Sequence, residues 1–195
     1  MRFAFIAYDG MTLLDFAGVY DPVTRLKTMG FMGDLEYDVC APASAVRSCE
    51  GLEVRADRLA DDLRGYDYVF IPGGNSVQKL IADDQKLIAD EAFMQALPEL
   101  PPETVRSAVC GGTLALGAAG LLRGKKATTH PSLTQRLRRL TVDVSDARVV
   151  EDGNVITARG VASAIDPGLY LCGRIAGPVV REKIRIQMDY PENEI

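Results

Sequence analysis

No stretch of the 195-residue sequence approaches the roughly 20 consecutive apolar residues that a bilayer span requires. The nearest candidate, Leu114 to Leu122, is broken by glycines, which excludes a transmembrane anchor. An excess of basic charge is missing too: 22 Lys and Arg face 27 Asp and Glu, a formal net charge of −5. Nucleic-acid affinity rests on cationic side chains that displace phosphate counterions, so no nucleic-acid partner is expected. The short basic stretch Arg136 to Arg139 reads as a solvated helix face. Cys40, Cys49, Cys110 and Cys172 lie far apart with no C-x-x-C pair, which signals neither a zinc site nor a disulfide framework. Free thiols are expected, with no metal. The apolar start Phe3 to Ala7 is interrupted by Tyr8, Asp9 and Gly10 short of signal-peptide length, so it reads as a strand and the expected location is cytoplasmic.

What is present fits an ordinary globular protein: 47% apolar and 25% charged residues, in a length that suits one domain over 1–195. Strand-like and helix-like runs alternate along the chain, the mark of a doubly wound, mostly parallel α/β sheet sandwiched by helices. Strands are expected at Arg2 to Ala7, Leu35 to Cys40, Leu52 to Arg55, Tyr66 to Ile71, Thr104 to Val109 and Lys126 to Thr129. A hairpin from Arg148 to Thr157 should turn at Asp152 and Gly153. Helices are expected at Leu13 to Met29, Val77 to Ala82, Asp84 to Leu97, Leu133 to Leu140, Ser163 to Ala176 and Val179 to Met188. A buried small-residue helix should follow Cys110 and end at Gly120. Pro22 predicts a kink in the first helix or a fresh start capped by Asp21.

Working sites of open α/β sheets lie at the carboxyl ends of the strands. Cys110 leaves a strand and enters a helix through Gly111 and Gly112, a pattern like the nucleophile elbow of hydrolases. A sulfur at a helix N-terminus is expected to favour thiolate over thiol. The alternative, a buried structural cysteine, stands beside it. Gly73 and Gly74 follow the adjacent strand, and their amides with that of Gly111 could surround a developing negative charge; an ordinary glycine turn would look the same. Asp15, flanked by Leu13, Leu14, Phe16 and Ala17, suits a desolvated general acid or else a helix N-cap. His130, the only histidine, follows a strand and either tunes the thiol or serves the fold.

These residues resemble the ThiJ/PfpI superfamily, whose branches include a parkinsonism-associated deglycase and bacterial isonitrile hydratases. VFIPGGN (69–75) is similar to the family's strand and glycine turn, and AVCGGTL (108–114) to its cysteine elbow. TTHP (128–131) and VITARG (155–160) resemble the deglycase branch. TLLDFAGVYD (12–21), LGAAGLLRGKKATTH (116–130), AIDPGLYL (164–171) and RIQMDY (185–190) are more similar to the hydratases.

The resemblance implies a flavodoxin-like fold, Cys110 as nucleophile and Asp15 as its acidic partner, where the deglycase branch has Glu. It also implies Gly73, Gly74 and Gly111 as oxyanion donors, a small-molecule substrate, no cofactor and a homodimer. Gly111 departs from the hydratases' Thr, Pro131 from their Trp and Val19 from the Pro of a Gly-Pro pair. Gly111 also stands where amidase and protease members place His, which speaks against peptide hydrolysis. The implied reaction is hydration of an isonitrile. The alternatives are glyoxalase- or deglycase-like action on α-oxoaldehydes, or an oxidative-stress sensor based on Cys110.

Overall fold

The computed structural model describes residues 1–74, 92–140 and 142–192. In chain order its elements are β1 (Arg2–Ile6), α1 (Leu13–Thr28), β2 (Glu36–Ala41), β3 (Ala45–Arg47), β4 (Glu53–Arg55), β5 (Arg58–Leu59), β6 (Tyr68–Ile71), α2 (Ala92–Ala96), β7 (Val105–Val109) and α3 (Gly112–Ala118). There follow β8 (Lys126–Ala127), α4 (Thr134–Arg139), β9 (Asp143–Val144), β10 (Val149–Asp152), β11 (Val155–Ala158), α5 (Ile165–Ala176) and α6 (Pro178–Gln187). The main sheet runs β10-β11-β7-β6-β1-β2-β5, and every pairing in it is parallel except β10 with β11. This is the expected mostly parallel sheet flanked by helices.

The sheet's burial explains its sequence. Strands covered on both faces read as continuous apolar runs rather than alternating ones, and β6, β7 and β11 are buried at every position. The edge strand β5 is exposed at both of its residues. Aromatic rings fill the centre: Phe3 stacks on Phe5 at 4.4 Å between centroids, and Phe5 meets Tyr20 of α1 edge-on at 4.9 Å.

Several expectations are corrected. Of the two alternatives at Pro22 the fresh start is the one not taken: helix α1 is continuous through Pro22, and Asp21 caps no new helix but pairs with Arg25 one turn on. Proline removes the hydrogen bond to the carbonyl four residues earlier, here that of Gly18. A Cβ on Gly168 would stand 2.8 Å from the Gly18 oxygen and 2.5 Å from Pro22 Cγ, so α5 lies directly against the altered turn. The expected strand at Leu52 to Arg55 exists as β4, but it pairs with β3 in a separate two-stranded hairpin. Lys126 to Thr129 shortens to β8, paired with β9, and the β10–β11 turn falls on Gly153 and Asn154 because Asp152 pairs with Val155. The expected helix at Val77 to Ala82 and most of that at Asp84 to Leu97 lie outside the described residues. Among the described residues no helix is long and apolar enough to cross a membrane.

One buried cation ties the loop before β7 to the strand. Arg106 is 6% exposed, and its guanidinium donates to the carbonyls of Leu100, Pro101, Pro102 and Thr104 at 2.6–3.3 Å. Removing it takes this donor from the Leu100 and Pro101 carbonyls, while those of Pro102 and Thr104 keep Asn154 Nδ2, and a buried acceptor left unpaired costs about 1–3 kcal/mol. Arg106→Met is therefore expected to lower stability by roughly 3 kcal/mol. Urea denaturation checks this, and a loss below about 1 kcal/mol would show that the loop re-solvates freely.

Candidate active site

The carboxyl ends of β6, β7 and β11 lie side by side, and each ends in a residue that only a tight turn explains. After β7, Cys110 takes φ = 52°, a left-handed conformation rare for a residue with a side chain and costing on the order of 1–3 kcal/mol. It is held from both sides. Its N–H donates to the Ala158 carbonyl at the end of β11 (3.0 Å), and its own carbonyl accepts from the Thr129 hydroxyl (2.7 Å). Helix α3 starts two residues later at Gly112, where a Cβ would run into the Ile71 and Pro72 carbonyls of the neighbouring strand end. A side chain at this position would push the helix away from β6.

Asp15 comes to the same place from the other side. It lies in the first turn of α1 and is completely buried, while Cys110 is 7% exposed. The N-cap position belongs to Thr12, so Asp15 is not the capping residue that its local sequence also allowed. Two glycines grip the pair. A Cβ on Gly73 would stand 2.5 Å from Asp15 Oδ2 and 2.6 Å from Cys110 Cβ, and one on Gly160 would stand 2.7 Å from Oδ1 and 2.6 Å from Cys110 Cβ. Carboxyl and thiol are thus pressed together between two backbones, with no room for a methyl group on either side. Gly73 is itself fixed: its carbonyl accepts from Thr12 N–H (2.8 Å), and the preceding Pro72 carbonyl accepts from the buried Tyr8 hydroxyl (2.7 Å).

Burial dominates the electrostatics. It raises Asp15 from 3.8 to about 7 against the lowering influence of the Cys110 thiol and the Gly73 amide, with a further push from the Glu50 charge. Neither carboxyl oxygen has a partner at full hydrogen-bond geometry. The thiol is raised to about 12, first by burial and then by the Asp15 charge, which outweigh the Gly111 amide. The expectation of a free thiolate at the helix end is therefore corrected, because the local amide is weaker than the loss of solvent. Once Asp15 ionises, near pH 7, the proton the pair still holds is the one on the Cys110 sulfur.

The structure brings Cys110, Asp15, Gly73, Gly74 and Gly111 together. A Cβ on Gly111 would lie 3.5 Å from the Gly74 oxygen and 3.8 Å from Gly73 Cα. His130 is otherwise engaged. Its Nδ1 meets the Ser132 hydroxyl at 2.8 Å and accepts from the Ser132 N–H, capping the turn Pro131–Leu133. Thr129, one residue earlier, is what reaches Cys110, and Gly160 (φ = 69°) is the second grip on the pair. Both sit in motifs visible in the sequence, but neither carries a reactive side chain that would single it out. All four cysteines are unpaired, and among the described residues no three His, Cys, Asp or Glu side chains gather as a metal site.

The family model described as DJ-1/PfpI matches residues 1–172. The chain belongs to the DJ-1/PfpI family. An isonitrile hydratase of Pseudomonas putida is 31% identical over 97% of this chain and 78% of its own length. A Pyrococcus horikoshii deglycase is 29% identical over 71% of this chain and 79% of its own. Among solved structures, a ThiJ/PfpI family protein from Pseudomonas syringae superposes with a TM-score of 0.80 at 30% identity, covering 99% of this chain and 76% of that one.

The raised Asp15 value has a thermodynamic signature that can be measured. The folded state binds the proton more tightly than the unfolded one, so the stability that neutral Asp15 contributes is complete below about pH 4. It is lost as pH rises to about 7. Three units correspond to about 4 kcal/mol. Asp15→Asn is expected to remove this decline, so that the variant gains on the wild type between pH 4 and 7 and is the more stable protein above it. Thermal melts of both proteins across that range check the sign, and parallel curves would refute the buried-acid assignment.

Proposed function

We propose that this DJ-1/PfpI family member is an isonitrile-hydratase-like lyase, adding water to R–N≡C to give an N-substituted formamide through a Cys110 thioimidate. The observation that carries the reading is the buried Asp15 carboxyl packed against Cys110 between Gly73 and Gly160. The identity of the acid supports it, since the hydratase branch has Asp where the deglycase branch has Glu. The hydratase relative, aligned over 97% of this chain, adds to it.

The chemistry follows from that proximity. Sulfur attacks the terminal isonitrile carbon as its proton passes to Asp15, and Asp15 returns the proton to the same carbon, leaving R–N=CH–S–Cys110. Asp15 is then a carboxylate again and activates a water that attacks the CH carbon. Protonation of nitrogen and expulsion of sulfur release R–NH–CHO, and Cys110 recovers its proton. The balance is one isonitrile and one water in, one formamide out, with no cofactor in any step.

A second reading, action on α-oxoaldehydes through a hemithioacetal on Cys110, is favoured by the deglycase relative and by the TTHP and TARG motifs. An alkyl isonitrile and methylglyoxal separate the two. Formamide from the first is expected, with a rate that rises as pH passes about 7 and the pair reaches its one-proton form. It should be abolished by Cys110→Ala and lowered about 100-fold or more by Asp15→Asn. Formamide no higher than the Cys110→Ala control, with lactate formed from methylglyoxal, would transfer the assignment to the second reading.

A further inference from the structure

The hairpin β3–β4 has no place in the main sheet, yet its tip is docked on the end of α1 that carries Asp15. Cys49 N–H donates to the Met11 carbonyl (2.8 Å), and Gly10 N–H donates to the Arg47 carbonyl (2.8 Å). Between these anchors, Glu50 sets both carboxylate oxygens on Leu13 N–H at 3.1 and 3.3 Å. This is the first residue of the helix, and Thr12 at the N-cap offers it no side-chain bond. Glu50 therefore supplies from a distant strand pair the acceptor that the helix start lacks. It also places a negative charge near the amino end of α1, within one helical turn of Asp15.

Among the described residues three groups act on the Asp15 carboxyl. They are the Cys110 thiol from the turn after β7, the Gly73 amide from the turn after β6, and Glu50 from the hairpin tip. The first two belong to the reacting pair and its grip. Glu50 alone is an exposed side chain that can be altered without touching the site. It is anionic when Asp15 titrates: although burial opposes its charge, the Cys49 side chain, the Leu13 amide and the Ser48 hydroxyl hold it below the usual carboxylate range.

We propose that Glu50 is a positioning residue for the reaction, seating the first turn of α1 and biasing Asp15 toward its protonated form. In the catalytic cycle this makes Asp15 a better proton acceptor from sulfur and sets the pH at which the pair becomes nucleophilic. The hairpin tip is then an electrostatic part of the site although it touches no reacting atom. The proposal rests on the Asp15–Cys110 reading above, and its test is chosen so that the two fail differently.

The test follows alkylation of Cys110 by iodoacetamide, read by intact mass from pH 5 to 9. All proteins carry Cys49→Ser, so that the exposed second thiol does not contribute. The parent is expected to show an inflection near pH 7 that Asp15→Asn removes. Glu50→Gln keeps an acceptor for Leu13 N–H but removes the charge, and should move the inflection down by about half a pH unit, the size expected for a screened charge at this range. Glu50→Asp keeps the charge and should leave the inflection near the parent value. An unmoved or upward-moved inflection in Glu50→Gln overturns the proposal, as does a change confined to melting temperature, which a merely structural cap would give. A parent with no inflection at all overturns the Asp15–Cys110 coupling itself, and the role of Glu50 with it.

Discussion

A carboxyl group buried against a thiol, with no cation beside it among the described residues, is the arrangement on which the site depends. Such an acid is expensive to ionise, and the thiol next to it more so once the acid is charged. The fold tolerates this because the space around the pair is defined by backbone rather than by flexible side chains. Gly73 and Gly160 close on it from two sides, and Gly112 lets α3 begin directly against the end of β6. An alanine at any of these positions would need displacement of main-chain atoms or of the reacting groups themselves. The strain of Cys110 at φ = 52° belongs to the same arrangement, since its N–H and carbonyl are both fixed by partners from other segments.

The parallel sheet makes the convergence possible. With β11, β7 and β6 adjacent and pointing the same way, three chain segments end at one edge. Strand β1, next in order, sends its helix back over them so that the first turn of α1 reaches Cys110. The close approach of α1 and α5 through Gly18, Pro22 and Gly168 fixes where that turn sits. Packing far from the sulfur is in this way converted into the position of the acid, and a residue such as Arg106 acts by holding the start of β7 while Cys110 stands at its end.

Much of this was legible in the sequence, because its signals were local. Apolar runs stopped by glycines at Val109 to Gly112 and at Ile71 to Gly74 marked two strand ends, and an aspartate among Leu, Leu, Phe and Ala marked a desolvated acid. What escaped was set by distance along the chain. Gly160 and Thr129 work through a bare Cα and one hydroxyl placed against residues 19 to 145 positions away, and the hairpin that delivers Glu50 pairs outside the main sheet. The raised pKa of Cys110 has the same origin. A helix end is visible locally and favours thiolate, whereas the opposing loss of solvent exists only once β6, β7, β11 and α1 have closed around the sulfur. Pro22 is the converse case: a local rule for breaking a helix gave way to a tertiary contact that suits the altered turn.

The closeness of acid and thiol also bears on which substrate the site suits. Addition to an isonitrile puts sulfur and hydrogen on the same carbon, so on the proposed reading a nucleophile and a proton carrier side by side serve both bond formations. Addition to an aldehyde instead puts the new charge on an oxygen one bond further out, and that oxygen needs its own donors. Backbone amides of the turns after β6 and β7 would have to supply them, whereas the first addition draws only on the Asp15–Cys110 pair already packed between Gly73 and Gly160.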